Sequence, residues 1–195
     1  DSGFDGFVIP RADAFMGEAV PIHSERLRWL TGFSGSAGVA VVMTHKAAIF
    51  VDGRYTLQIR NQVDRSIYDI FNISEMSPWT WAANNLRKGS RLAFDPWLIT
   101  DTTQNNYQRK LTEVGAEFVA VEKNPIDAIW ANQPAAPLAA VTTHDIRFAG
   151  KSSREKRRSI SSKLLKENMD AALITQPDSI AWILNIRGGD VPYAP

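Results

Sequence analysis

The stretch that most constrains how this chain folds is a glycine-spaced turn followed by two apolar runs. It reads WLTGFSGSAG over residues 29–38, with glycine at every third position from Gly32. Because glycine has no Cβ, the stretch permits a tight turn or a close approach of another segment. The apolar run 37–43 is typical of a strand buried on both faces, and a second run covers 47–51. The pattern predicts a helix at 25–30, a glycine turn and two core strands.

A second motif, VDGRY, ends the second apolar run and precedes a segment with helical spacing, 55–63. Asp52 is placed to cap that segment, so Arg54 falls in its first turn, where the helix dipole disfavours a cation. Pairing with Asp52 offsets this effect, and so does a partner outside the domain. We hypothesise that Arg54 and Tyr55 lie at a face turned towards another domain or subunit. The alternative is a purely local role for both residues.

Beyond this region, strand patterns alternate with helical patterns of about ten residues, which is typical of an α/β layered domain. Helices are expected to begin at Ser77, at Thr100 or Asp101, and near Asn124. We therefore predict a mixed β-sheet flanked by helices. The other strands of this sheet are expected at 5–10, 66–73, 91–94 and 117–121.

A second domain is predicted after a linker-like stretch rich in proline and alanine at 132–137. Ser152 and Glu155 form a capping-box pattern that begins a new helix, and a strand is predicted at 171–175. A single strand makes no sheet, so this part is expected to be incomplete. The predicted domains are 1–149 and 150–195.

Composition and motifs exclude several classes of function. The chain has 22 Lys and Arg against 21 Asp and Glu, and it has no cysteine. The near-zero net charge argues against a nucleic-acid partner, and the basic run 151–166 is interpreted as a solvated helix face. No stretch reaches the roughly 18 apolar residues of a membrane span, so no membrane partner is predicted. The glycine turn precedes a strand and lacks a Gly-Lys-Ser/Thr ending, which argues against a phosphate loop.

Candidate catalytic residues are scarce. The three histidines, His23, His45 and His144, are isolated in predicted loops and have no metal-ligand spacing. Ser34 and Ser36 lack the Gly-x-Ser-x-Gly pattern of a nucleophile. Of the six tryptophans, four fall on predicted apolar faces, whereas Trp81 and Trp97 fall off them. We take Trp81, with Arg54 and Tyr55, as a candidate cleft or interface residue.

Five motifs in order carry a resemblance to a known family: WLTGFSGSAG, FVDGRYTLQIRNQV, FDPWLIT, NPIDAIW and PDSIAWILNIRGGDVPYAP. The chain resembles the N-terminal domain of the creatinase, prolidase and aminopeptidase P superfamily. Within it, the chain is most similar to the three-domain Xaa-Pro aminopeptidases. The resemblance implies a ribonuclease H-like α/β fold followed by the start of a second, related domain.

The resemblance also implies a function for the intact protein. Such enzymes release the N-terminal residue from peptides with proline second, using two metal ions, usually manganese, in a C-terminal catalytic domain. Nothing in this chain matches those metal ligands, so we predict no catalytic or metal residue here. The chain is interpreted as a fragment that shapes the substrate cleft and the oligomer of a cytoplasmic homodimer. The alternatives are a stand-alone interaction module of the same fold, or part of a prolidase or creatinase-like hydrolase.

Overall fold

A computed structural model describes residues 3–191. The chain forms two compact units, Asp1–Ala135 and Ala136–Pro195. These units are groups of residues in mutual contact, and they do not test where one domain ends and the next begins. The domain boundary between residues 149 and 150 therefore stays a prediction.

The first unit is built on a six-stranded mixed sheet, as the sequence predicted. The strand order is β4-β3-β2-β1-β5-β6. β2 is antiparallel to both of its neighbours, and all other pairings are parallel. The strands are β1 Gly6–Pro10, β2 Val39–Met43, β3 Ala47–Val51, β4 Tyr68–Asn72, β5 Arg91–Phe94 and β6 Glu117–Ala120.

Five helices cover the two faces of this sheet. They are α1 Arg26–Thr31, α2 Gln58–Gln62, α3 Pro78–Asn85, α4 Asp101–Glu113 and α5 Pro125–Ile129. Side chains of α1, α2 and α5 join one apolar cluster, and those of α3 and α4 join the other. Successive residues of the central strands alternate between the clusters; Phe7 lies in the first and Val8 in the second. Burial on both faces explains the unbroken apolar runs in the sequence.

Several helix caps follow the sequence patterns, and others differ. Ser77 caps α3 by accepting the Thr80 N–H, and Thr100 caps α4. Helix α1 begins one residue later than predicted, and Glu25 is its N-cap residue. Helix α3 ends at Asn85, and Gly89 takes its left-handed φ of 83° in the turn after the helix.

Tyr107 of α4 is buried in the second cluster with its hydroxyl unpaired among residues 3–191. Its ring stacks on Phe118 at 4.6 Å and meets Trp79 edge-on. Burial raises the pKa of Tyr107 far above its usual range. Because a buried hydroxyl without a partner carries a desolvation cost, Tyr107→Phe is expected to stabilise the chain by about 1 kcal/mol. Urea unfolding measures this, and a loss of stability would show that the hydroxyl has a partner in solution.

The described part of the second unit, up to residue 191, contains three helices and a two-stranded antiparallel ribbon. They are α6 Ile146–Ala149, α7 Ser153–Lys166 and α8 Pro177–Leu184, with β7 Thr142–Thr143 paired to β8 Ile186–Arg187. The predicted capping box of Ser152 and Glu155 is present at the start of α7. The strand predicted at 171–175 is wrong, since these residues pair with no other strand and are largely exposed. An apolar run becomes a strand only where a neighbouring strand accepts its hydrogen bonds.

A buried lysine joins two helices of the second unit. The Lys156 ammonium, on α7, donates to the Trp182 carbonyl at 2.8 Å and to the Asn185 side chain at 2.6 Å. It also lies 4.5 Å from the centre of the Trp182 ring. A cation at the carboxyl end of α8 complements the helix dipole, so Lys156 has a structural role.

Candidate functional site

The candidate site lies along one edge of the six-stranded sheet. Because β1, β3, β4, β5 and β6 run parallel, their carboxyl ends meet at the same edge, where antiparallel β2 begins. This carboxyl edge carries the glycine turn before β2 and the DGRY motif after β3. In α/β sheets, ligands bind outside the carboxyl ends of the strands. The two motifs that stand out in the sequence are thus brought together at the edge where a site is expected.

The glycine turn is packed directly against Tyr55 of the DGRY motif. Gly32 ends α1 with a left-handed φ of 79°, and its N–H is bonded to the Arg28 carbonyl. The buried Phe33 ring meets Tyr55 edge-on, with ring centres 5.5 Å apart. A Cβ on Gly35 would overlap Phe33 Cζ and lie 2.8 Å from Tyr55 Cδ1. Glycine is therefore required at 35 for close packing.

Polar contacts fix the same turn on both sides. The Ser36 and Tyr55 hydroxyls are 2.5 Å apart. The Ser34 hydroxyl accepts hydrogen bonds from the amides of Gln58 and Gln62, at 3.1 and 2.9 Å. Arg11, directly after β1, donates to the Ser36 carbonyl at 3.1 Å. The sequence did not reveal this role of Arg11, which lies 25 positions from its partner.

Arg54 is held by its neighbours and presented to solvent. Its Nη2 lies 2.7 Å from Asp52 Oδ2, its backbone N–H donates to Asp52 Oδ1, and its guanidinium lies 5.2 Å from the Tyr55 ring centre. The side chain is 66% exposed, and Nη1 donates to no residue within 3–191. The cap and local pair predicted for Asp52 are thus present, and the cation keeps donors free for a further partner.

The hydrogen bonds of this cluster shift two pKa values. The bond from the Arg54 side chain, and then that from its backbone N–H, lower the pKa of Asp52 below 3.8. The hydrogen bond to Ser36 lowers the pKa of Tyr55 below 10.0. Asp52 is therefore ionised at neutral pH, and the cluster offers a paired cation and a polarised phenol rather than a nucleophile or a metal site.

The structure corrects the expectation that Trp81 is free of the core. Trp81 is 5% exposed and meets Phe50 edge-on, with ring centres 6.0 Å apart. The helical face was assigned from spacing alone, whereas α3 packs with a wider apolar stripe that includes this position. Trp97, after β5, is 73% exposed and lies at the carboxyl edge. Ile129, at the end of α5, is exposed as well.

The residues that the structure describes do not fit a metal centre. Within the described part, 3–191, no three His, Asp or Glu side chains come together as a metal-binding group. His23 Nδ1 is 2.7 Å from the Pro134 carbonyl, His45 lies in the turn between β2 and β3, and the His144 ring lies beside Phe148. None of the described helices is long and apolar enough to cross a membrane.

Comparisons with known proteins show the family to which this chain belongs. Two models, both described as creatinase/prolidase N-terminal domain, match residues 1–129 and 132–195. The chain belongs to the creatinase/prolidase N-terminal domain family, which confirms the resemblance carried by its motifs. The linker-like stretch predicted from 132 lies at the junction of the two matched regions.

Similar proteins are named as aminopeptidases. Aminopeptidase P1 of Lotus japonicus is 35% identical over 98% of this chain, and Xaa-Pro aminopeptidase 2 of Sus scrofa is 34% identical over 97%. The crystal structure of an X-prolyl aminopeptidase from Caenorhabditis elegans, described as cytosolic with a di-nuclear active site, superimposes with a TM-score of 0.86 at 30% identity. It covers 97% of this chain, which spans only 28–31% of these three proteins.

Proposed function

We propose that this chain is the N-terminal, non-catalytic part of a metal-dependent Xaa-Pro aminopeptidase. The observation that carries the proposal is the match over almost the whole chain to such enzymes, in sequence and in fold. The intact protein releases the N-terminal residue from peptides with proline second. Its di-nuclear site lies outside this chain and holds manganese, and the protein is a cytoplasmic homodimer.

The role proposed for this chain is to wall the substrate cleft and to contribute to the oligomer. Its carboxyl edge supports this role, because Arg54 combines a fixed position with free donors. A guanidinium held in place loses little entropy on meeting a partner, so it is suited to a polar contact across a domain or subunit boundary. The proposal makes Arg54 and Tyr55 the residues that face the catalytic part or the neighbouring subunit.

Hydrolysis of Xaa-Pro peptides with added manganese tests the proposal, on the full-length protein and on the 195-residue chain in parallel. We expect cleavage only by the longer protein. Cleavage by the short chain would overturn the claim that it is non-catalytic. If neither protein cleaves the peptide, the proposal of an aminopeptidase fails, and the alternative of a stand-alone interaction module of this fold replaces it.

Arg54→Ala in the full-length protein is expected to lower kcat/KM for an Xaa-Pro peptide by about tenfold. The physical reason is the loss of a charge-assisted hydrogen bond to the substrate or to the catalytic part. Arg109→Ala is the matched control, because Arg109 is an exposed arginine on α4, away from the carboxyl edge. Unchanged peptidase activity together with an unchanged oligomeric state would contradict a functional role for Arg54.

A further inference from the structure

Exposed apolar side chains recur along the carboxyl edge of the sheet. Phe15 follows β1 and is 73% exposed, and Trp97 follows β5 and is also 73% exposed. Leu57 and Ile73, which follow β3 and β4, are exposed as well. Single exposed apolar residues are ordinary, but a row of them after successive parallel strands indicates a binding surface.

The two aromatic residues are presented by the same local device that presents Arg54. The Asp13 carboxylate, itself buried, accepts the Phe15 N–H at 3.0 Å. Asp95 accepts the Trp97 N–H at 3.0 Å, just as Asp52 accepts that of Arg54. Each aspartate fixes the residue two positions later. Asp52 and Asp95 directly follow β3 and β5, whereas Asp13 lies three residues after the end of β1. Each of the three loops thus carries one large exposed side chain on a hydrogen-bonded turn.

The turn that carries Trp97 is also tied to the rest of the unit. Asp95 Oδ2 accepts a hydrogen bond from the amide of buried Asn124 at 2.9 Å. Leu98, next to Trp97, is buried in the turn. The indole is therefore exposed on a firmly held backbone, and little conformational entropy is lost when a ligand covers it.

The spacing of the three strands matches an extended peptide. β1 and β5 are neighbours, while β3 and β5 are separated by β2 and β1. Three strand spacings of about 4.8 Å give about 14 Å between β3 and β5, which an extended chain crosses in about four residues. The turns that carry Arg54 and Trp97 thus start from positions that one short peptide spans, and β1, which leads into the loop of Phe15, lies between them.

We propose that Phe15 and Trp97 bind the part of the peptide substrate that follows the proline, and so make the enzyme prefer peptides longer than three residues. This inference rests on the proposed function and adds specificity-determining residues to it. A flat aromatic ring can contact an extended peptide without requiring a particular side chain in that peptide. This property suits a peptidase that is selective only for the first two residues of its substrate. The surface therefore senses length rather than sequence.

The test compares two substrates in the full-length protein with manganese: an Xaa-Pro-Ala tripeptide and the same sequence extended to six residues with alanine. Trp97→Ala and Phe15→Ala are each expected to raise KM for the hexapeptide about fivefold, with kcat unchanged and the tripeptide unaffected. The control is Ile129→Ala, because Ile129 is also exposed but lies beside Asp5 and Thr44, at the amino edge of the sheet.

Four outcomes overturn the inference. Equal losses on both peptides, or a changed sedimentation velocity of Trp97→Ala, would show that the aromatic residues contact another part of the protein or a second subunit. Unchanged KM for both peptides in both variants would show that the peptide does not reach this edge. If the unmodified protein cleaves neither peptide, the proposed function fails and the inference fails with it. If the unmodified protein cleaves both peptides, the proposed function holds, and the variants then test the inference alone.

Discussion

Gly35→Ala is expected to destabilise the chain by about 3 kcal/mol, near the upper end of the cost of overpacking a core. The added methyl group would overlap the buried Phe33 ring and lie 2.8 Å from Tyr55 Cδ1. Neither ring can move away freely, because Phe33 is in the first apolar cluster and Tyr55 is bonded to Ser36. The overlap is relieved only if the glycine turn moves away from the DGRY motif. The substitution therefore disrupts the candidate site as well as the fold.

Urea unfolding of the 195-residue chain measures the loss, and Gly53→Ala is the matched control. A Cβ on Gly53 meets nothing within 4 Å, and that glycine has no positive φ. The control is expected to change the free energy of unfolding by at most about 1 kcal/mol, in the stabilising direction. Equal effects of the two substitutions would contradict the close packing of the glycine turn.

Asp127→Ala is expected to destabilise the chain by about 2 kcal/mol. Asp127 on α5 accepts two hydrogen bonds from the guanidinium of Arg26 on α1, at 2.7 and 2.9 Å. The Arg26 side chain is only 10% exposed, whereas that of Asp127 is 35% exposed. Removal of the carboxylate leaves a nearly buried cation unpaired, which costs more than the pair itself contributes. Because Asp127 is partly exposed, the expected loss of stability is smaller than the roughly 3 to 5 kcal/mol that breaking a fully buried pair costs.

The same pair makes stability depend on pH. Burial alone would raise the pKa of Asp127, but the hydrogen bonds and charge of Arg26, with Gln133 and His23, lower it below 3.8 overall. Because the folded-state pKa is below the unfolded one, the contribution is present above about pH 4 and is lost as the pH falls through the folded-state pKa. The difference in urea midpoint between the parent chain and Asp127→Asn should therefore be smaller at pH 3 than at pH 7. A constant difference would contradict the ion pair.

The sequence predicted local features well, because their causes lie within a few residues. The capping box of Ser152 and the cap of Asp52 depend on groups two or three positions away. The apolar runs of β2 and β3 were recognisable because strands in the middle of a sheet are buried on both faces. Where a local pattern lacked its partner, as at 171–175, the predicted strand did not form.

The candidate site was only partly predictable. The motif that contains Arg54 and Tyr55 stands out in the sequence, and the structure presents Arg54 at the carboxyl edge. Trp81 was misjudged because spacing along a helix does not show how wide its buried stripe is. The sequence placed Trp97, like Trp81, off the predicted apolar faces, and in the structure Trp97 does lie on the surface.

The sequence by itself determined the strands of the six-stranded sheet, most caps, the family and the two motifs that make the site. Only the tertiary structure decided that the glycine turn meets Tyr55 and that Arg26 pairs with Asp127, 101 positions away. It also decided that the loops carrying Phe15, Arg54 and Trp97 leave the sheet at one edge. The physical reason is that capping and strand propensity depend on near neighbours in the chain. Burial and ion pairing depend instead on which segments the sheet order brings side by side.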